Sequence, residues 1–98
     1  MENEKFLGIF ICNGYGYFDA LLSDGFYFGK INPGRRFDAL IMGRWRSTCI
    51  LYDDELNKFY LEKIGYIHYD GTQNLFYLDG YGYLLQGPQG LMIRISSG

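Results

Sequence analysis

The stretch from Phe37 to Leu61 constrains the fold of this chain more than any other. Its first part, FDALI, alternates side chains between two faces with the period of two that is typical of a β-strand. Met42-Gly43 then turns the chain into a second strand from Trp45 to Tyr52, which carries the only tryptophan. Both strands have apolar groups on both faces, a pattern that favours a small barrel or a strand covered on its second side.

The rest of the chain continues as short apolar strands between turn signals. The 98 residues include 14 glycines and two prolines, and Asn13-Gly14 is the strongest hairpin signal among the turns. No stretch shows the period of an α-helix. Ten tyrosines and eight phenylalanines supply large buried area at low rotamer cost. We therefore predict one all-β domain over residues 1–98, a small SH3-like or OB-like barrel of roughly six to eight short antiparallel strands.

The net charge and the hydropathy of the chain limit which classes of partner it is expected to bind. A net charge of −2 and a pI near 5.2 argue against a protein that binds duplex nucleic acid by neutralising phosphates. Single-strand binding by stacking on aromatic rings stays open. The opening residues MENEKFLG lack the basic start and the apolar core of a signal peptide, and no apolar run approaches the ~20 residues of a membrane span. The sequence thus predicts a cytoplasmic protein without a membrane partner.

The residues that carry most enzyme chemistry are scarce. His68 is the only histidine and lies between tyrosines in GYIHYD, where an ordinary half-buried histidine is expected. Cys12 and Cys49 lie in apolar runs that favour buried reduced thiols, with a disulfide as the alternative. No CxxC or HxxxH spacing occurs, and the two GYG motifs lack the third glycine of a dinucleotide site. We therefore expect no catalytic residue, no metal site and no cofactor.

Trp45 and its arginine neighbours are the first candidate binding residues. A large aromatic side chain flanked by Arg44 and Arg46 suits an interaction hot spot, because it is rigid, amphipathic and able to stack. The alternative is that Trp45 fills the interior of the barrel. Arg35 and Arg36 precede the same hairpin, so the four arginines are expected to form a small basic patch that orients an acidic partner or a nucleic-acid strand.

A second set of candidates comes from a resemblance. GYGYF at positions 14–18, followed by FYF at positions 26–28, resembles the paired aromatic strands of cold-shock and related OB-type single-strand binders. The resemblance implies a base-stacking platform made of Tyr15, Tyr17 and Tyr27, with Lys30 as a phosphate contact. Asn13 departs from the pattern, since that family has a basic residue there. The alternative is that these aromatics form the core of a small barrel.

A longer resemblance covers roughly residues 7–62. It is to a family of short bacterial and mobile-element proteins of unknown function, and the matching positions are Gly34, Phe37 to Ile41, Gly43-Arg44-Trp45, Thr48, Ile50 to Tyr52, and Phe59-Tyr60-Leu61. The chain departs from that family at Cys49, where an arginine is usual. The resemblance implies a compact SH3-like barrel encoded by a phage or a mobile element, and it brings no known active site.

Two functions remain after these exclusions. The main hypothesis is a non-catalytic binding protein, encoded by a phage or a mobile element, that docks a tyrosine-rich β surface on a host protein. Inhibition of a nuclease or of a defence complex is a role that rests on the family resemblance alone. Exposed edge strands make homodimerisation by strand pairing a further option. The alternative function is a module that binds single-stranded RNA or DNA on its aromatic platform.

Overall fold

Every regular element of the protein is a β-strand in the computed structural model, which describes residues 5–22, 26–87 and 90–96. The strands in chain order are β1 (Lys5–Gly14), β2 (Tyr17–Leu22), β3 (Tyr27–Lys30), β4 (Phe37–Ile41), β5 (Arg44–Thr48), β6 (Ile50–Asp53), β7 (Lys58–Leu61), β8 (Gly65–Asp70), β9 (Leu75–Leu78), β10 (Tyr83–Leu84) and β11 (Leu91–Ser96). The predicted all-β class is confirmed. The described ranges hold eleven strands instead of six to eight, because tight turns divide the apolar runs into shorter pieces.

The strands form two antiparallel sheets. The six-stranded sheet has the order β3-β2-β1-β11-β4-β5, and the five-stranded sheet has the order β10-β9-β8-β7-β6. Among the residues that the structure describes, neither sheet closes on itself, so two open sheets stand in place of the expected barrel. At one corner Leu85 links them, since its carbonyl accepts from the Cys12 N–H (2.7 Å) and its own N–H donates to the Phe76 carbonyl (2.9 Å). A linking residue of this kind joins two sheets without the continuous ladder that a barrel needs.

The predicted long strand from Trp45 to Tyr52 is interrupted at Cys49. Strand β5 is an edge of the six-stranded sheet and β6 is an edge of the five-stranded sheet, so the chain crosses between the sheets at this residue. Hydrogen bonds hold the crossing. The hydroxyl of the fully buried Thr48 donates to the Glu62 carbonyl (2.9 Å), and the Glu62 N–H donates to the Cys49 carbonyl (3.0 Å).

The inner faces of the two sheets enclose the core. Its largest fully buried apolar side chains are Phe10, Phe18, Ile31, Ile50, Leu61, Leu78, Leu85, Leu91, Ile93 and Ile95. Phe10 stacks on both Phe18 (ring centroids 5.7 Å apart) and Phe37 (5.6 Å). Cys12 and Cys49 are buried free thiols, as the first of the two expectations had it. Burial raises the pKa of the Cys12 thiol to about 11, so this thiol is neutral at pH 7.

Two turns show where local sequence signals succeed and fail. Met42 and Gly43 adopt left-handed conformations (φ 50° and 80°), which confirms the predicted hairpin between β4 and β5. The first hairpin turns at Tyr15-Gly16 instead of Asn13-Gly14, with φ 86° at Gly16. Asn13 is the unpaired residue at a β-bulge within β1, and its side-chain amide donates to the Asp19 carboxylate of β2.

Candidate functional site

An apolar row crosses the outer face of the six-stranded sheet, with one side chain from each strand. Its members are Tyr27, Leu21, Ile9, Met92, Leu40 and Trp45. The strand register pairs Tyr27 with Leu21, Leu21 with Ile9, Ile9 with Met92, and Leu40 with Trp45. Continuing the β11–β4 register by one residue places Met92 beside Leu40. The row is therefore continuous from one edge of the sheet to the other.

Side chains in the apolar row are accessible to solvent. Tyr27 is 62 % exposed and Met92 is 42 % exposed, and the other members are partly buried. Leu7, which precedes Ile9 on the same face of β1, is 46 % exposed. A solvated outer face of an antiparallel sheet is normally polar, whereas a contiguous apolar patch marks an interaction site.

Trp45 forms one end of the apolar row. It lies outside the buried core, and the Arg94 guanidinium carbon is 4.1 Å from its ring centroid. Asp38 holds this arginine in place, because one carboxylate oxygen accepts from both Lys5 (2.7 Å) and Arg94 (3.2 Å). These contacts, with the hydrogen bond from Lys5 the largest cause, keep the pKa of Asp38 below its usual value. The only sequence signal for Arg94 is that it is the one charged residue in the strand LMIRIS.

The two arginines beside Trp45 have different surroundings. Arg44 is exposed at the start of the edge strand β5. Arg46 instead reaches across to the five-stranded sheet, where it donates to the Lys63 carbonyl (2.7 Å) and to the Tyr81 hydroxyl (3.5 Å). Of the three predicted residues, Trp45 lies on the outer face of this sheet and Arg46 bonds to the five-stranded sheet. Arg44 is exposed at the end of its strand but shares the face of its pairing partner Ile41, opposite to Trp45.

The predicted four-arginine patch is partly used in internal contacts. Arg35 donates to the Ser96 carbonyl (2.6 Å), and Arg36 forms an ion pair with Glu62 (3.0 Å). The charge is nevertheless divided between the sheets. Among the described residues, 5–49 and 90–96 contain seven Lys or Arg and two Asp, whereas 50–87 contain two Lys and six Asp or Glu. The part of the chain that includes the six-stranded sheet is thus basic in a protein whose net charge is −2.

Tyr17 and Tyr27 share the outer face of the six-stranded sheet with Lys30. The Lys30 ammonium lies 5.4 Å from the centroid of the Tyr17 ring, a cation–π contact. The Tyr27 hydroxyl donates to Asp19 (3.1 Å), a carboxylate on the same face that is only 8 % exposed and also accepts from Asn13. This end of the apolar row therefore combines two exposed rings with one cation and one shielded carboxylate.

Tyr15, the third predicted tyrosine, has other contacts. Its ring packs edge-on against Phe59 (centroids 5.3 Å apart), which also contacts Tyr52 (4.8 Å). Its hydroxyl donates to the Asn57 carbonyl in the turn between β6 and β7. The structure therefore divides the three tyrosines of the expected platform between two environments.

His68 lies on the outer face of the five-stranded sheet, between two charged neighbours. The Lys58 ammonium is 3.1 Å from Nδ1, and Nε2 is 3.3 Å from an Asp79 carboxylate oxygen. Both ring nitrogens are thus occupied, and the ring also contacts Tyr77. Within residues 5–22, 26–87 and 90–96, no three His, Cys, Asp or Glu side chains come together as a potential metal site. The same part of the chain holds no helix of the length and hydrophobicity that crossing a membrane requires.

Comparison of the chain with protein-family models, with curated proteins and with solved structures finds no match. The two family resemblances in the sequence therefore remain predictions. A functional proposal has to come from the apolar row, the charges around it and the remaining surface of the two sheets.

Proposed function

We propose that this is a non-catalytic binding protein that docks the outer face of its six-stranded sheet on an acidic protein surface. The observation that carries the proposal is the apolar row, which joins all six strands of that sheet. Buried patches of protein interfaces are apolar at the centre and polar at the rim, and this face has that layout.

The residue types in the row favour a protein partner. Tryptophan, tyrosine and arginine dominate interaction hot spots, and Met is enriched at interfaces. Trp45 is already stacked against Arg94, which is itself bonded to Asp38, so little side-chain freedom remains to be lost on binding. The middle of the row, made of Leu21, Ile9 and Met92, offers no ring on which a base could stack. The single-strand alternative therefore has support only at the Tyr17–Tyr27 end.

The charges around the row indicate the kind of partner. Lys5, Lys30 and Arg94 lie on the same face as the row, whereas Arg44 is exposed at the start of β5 on the opposite face. The face of the row also carries two carboxylates, Asp19 and Asp38. Both accept hydrogen bonds from other side chains of this protein. A partner with an apolar centre and acidic groups around it would complement this face, and raising the ionic strength would weaken the complex.

The expected host target and the origin in a phage or a mobile element form part of the same proposal. They are supported by the resemblance over residues 7–62, not by the apolar row. A cytoplasmic protein partner fits the composition of the chain. None of these details is needed for the docking surface itself to be tested.

The test uses photocrosslinking from the docking face. A benzoylphenylalanine is placed at Met92 in the full chain, and a matched control carries it at Leu56, which is 53 % exposed in the turn between β6 and β7. Capture at position 92 and not at position 56 identifies the partner. That partner is then purified and titrated with the wild-type protein, Met92→Lys and Leu56→Lys. We expect Met92→Lys to bind at least about tenfold more weakly, because it buries a charge in the interface centre, and Leu56→Lys to bind normally.

Three results would overturn the proposal. One is capture at position 56 alone. Another is capture at position 92 of a second copy of this chain or of a nucleic acid. The third is a purified partner that binds Met92→Lys as tightly as the wild type. Circular dichroism of each variant verifies that the fold is retained.

A further inference from the structure

A pocket of about 600 Å³ is lined by residues of both sheets. One side comes from the end of β1 and the turn after it, and the other comes from the β8–β9 hairpin and from Gln86 after β10. The side chains that matter for its chemistry are three amides and three aromatic rings: Asn13, Asn74 and Gln86, and Tyr15, Tyr69 and Phe76. Its size lies within the range of small-molecule sites.

The aromatic rings provide flat faces on two walls. Tyr15 belongs to the first hairpin and is 52 % exposed, and its ring is fixed by the contact with Phe59 and the hydrogen bond to the Asn57 carbonyl. Tyr69 belongs to β8, is 51 % exposed and rests on Phe76 with ring centroids 4.9 Å apart. Rings that are anchored from behind and open in front suit the stacking of a planar ligand.

Hydrogen bonds within the protein set which groups the amides can offer a ligand. The Tyr69 hydroxyl donates to the Asn74 side-chain oxygen (2.6 Å), which leaves the Asn74 amide hydrogens as donors. The Asn13 amide nitrogen donates to Asp19, which leaves the Asn13 side-chain oxygen as an acceptor. Gln86 is exposed and carries both a donor and an acceptor. The pocket thus presents donors and acceptors around its aromatic walls.

The lining is uncharged. It contains no Lys, Arg, His, Asp or Glu among the residues that the structure describes. Its remaining ionisable group besides the two phenols is the Cys12 thiol, which burial keeps neutral by raising its pKa to about 11. A phosphate or a carboxylate would therefore find no cation here, whereas a neutral heterocycle with adjacent donor and acceptor groups would be matched on its faces and on its edge.

We propose that this pocket binds a nucleobase, presented by a free nucleoside or by a single strand, with its faces against Tyr15 and Tyr69 and its edge on the amides. The pocket shares no lining residue with the apolar row, so neither proposal depends on the other. Asparagine and glutamine amides pair with base edges through matched donors and acceptors, and base stacking on aromatic side chains is the usual mode for unpaired bases.

The test titrates the full ¹⁵N-labelled chain with adenosine, guanosine, cytidine and uridine and follows the side-chain amide signals. At least one nucleoside should shift the signals of Asn13, Asn74 and Gln86. Its 5′-monophosphate should bind within about twofold of the nucleoside and with little salt dependence, because no cation is found among the described residues that line the pocket. Tyr69→Leu should weaken binding about tenfold through the loss of stacking. Tyr60→Leu, at a half-buried tyrosine that does not line the pocket, is the matched control and should bind normally.

A second variant keeps the proposal testable if Tyr69→Leu fails to fold. Gln86→Ala changes an exposed residue outside the strands and should weaken binding without altering the backbone spectrum. A short homopolymer of the preferred base distinguishes the two sources: equal affinity per site assigns a free nucleoside, and much tighter binding with the same pocket shifts assigns a single strand. The proposal is overturned if all four nucleosides leave the pocket signals unchanged, if glucose or maltose alone shifts them, or if neither Tyr69→Leu nor Gln86→Ala weakens binding.

Discussion

The outer faces of the two sheets use their polar groups differently. On the five-stranded sheet, polar side chains bond to one another: the Tyr66 hydroxyl donates to Asp53 (2.9 Å), and Lys58 and Asp79 occupy the ring nitrogens of His68. On the six-stranded sheet, the polar contacts lie beside the apolar row and leave Tyr27 and Met92 exposed, although Gly87 and Gly90 lie against Leu21 and Ile9 in its middle. Both faces are rich in large side chains, so aromatic content alone does not identify a binding surface.

A partner would gain more free energy by binding the outer face of the six-stranded sheet than that of the five-stranded sheet. A face whose polar groups already bond to each other would have to exchange those bonds on binding, which gives little net free energy. An exposed apolar row has only water to lose, and its burial is favourable in proportion to its area. The following predictions test this difference, beginning with the largest effect.

Replacing Trp45 should have the largest effect on binding. Trp45→Ala removes the ring at one end of the row and the surface on which Arg94 stacks. We expect the complex with the captured partner to weaken by about 2 kcal/mol, or roughly 30-fold, as measured by calorimetry. Tyr60→Ala, on the outer face of the other sheet, should change affinity by less than about twofold. An equal loss in both variants would remove the distinction between the two faces.

The crossing between the sheets should be sensitive to the loss of one hydroxyl. Thr48→Val keeps the shape of this fully buried side chain and leaves the Glu62 carbonyl without its partner. The free energy of unfolding should fall by about 1–2 kcal/mol in urea denaturation. Thr72→Val removes an exposed hydroxyl that bonds to Asp70, and its effect should stay within about 0.5 kcal/mol. Equal stabilities of the two variants would contradict the assigned role of Thr48.

The ion pair beside Trp45 should make stability depend on acid pH. The folded-state pKa of Asp38 is lowered, so its interactions stabilise the fold above the unfolded-state pKa of an aspartate, about 3.9. This contribution is lost as the pH falls through the lower folded-state pKa. Asp38→Asn should cost about 1 kcal/mol or less at pH 7, because Lys5 is 54 % exposed. In urea denaturation, the free energies of unfolding of the wild type and of Asp38→Asn should differ at pH 7 and become equal at pH 2.

The smallest effect is expected on the bonded face of the five-stranded sheet. Hydrogen bonds from the Leu56 N–H and from the Tyr66 hydroxyl lower the pKa of Asp53, with the backbone bond as the larger cause. Tyr66→Phe should raise this pKa only part of the way to its ordinary value, since the backbone bond remains. Titration of the Asp53 carboxyl carbon signal by NMR measures the change. A pKa that does not move would show that Tyr66 does not stabilise this carboxylate in solution.

The elements of the fold follow from local chemistry. The period of two in FDALI and the left-handed Met42-Gly43 pair predict the β4–β5 hairpin, because both depend on residues next to each other in the chain. The interruption of the strand at Cys49 cannot be predicted from adjacent residues. Its flanking run is continuously strand-forming, and the strand divides because its two halves pair with partners in different sheets.

The candidate surface was predictable only in part. Trp45 and Tyr27 stand out in the sequence as an isolated tryptophan and a member of an aromatic strand. Arg94 and Met92 do not, since they are ordinary outward positions of a strand about fifty residues further along the chain. Their importance comes from the pairing of β11 between β1 and β4.

The all-β class, the alternation of each strand and several of the turns follow from the sequence alone, because these features depend on contacts between near neighbours. The adjacency of the strands, the open form of the two sheets and the alignment of side chains across them arise from packing between distant segments. Strand register is a long-range property that is set by how both faces pack. The apolar row and the amide-lined pocket are both products of that register, which is why neither can be read from any single segment of the chain.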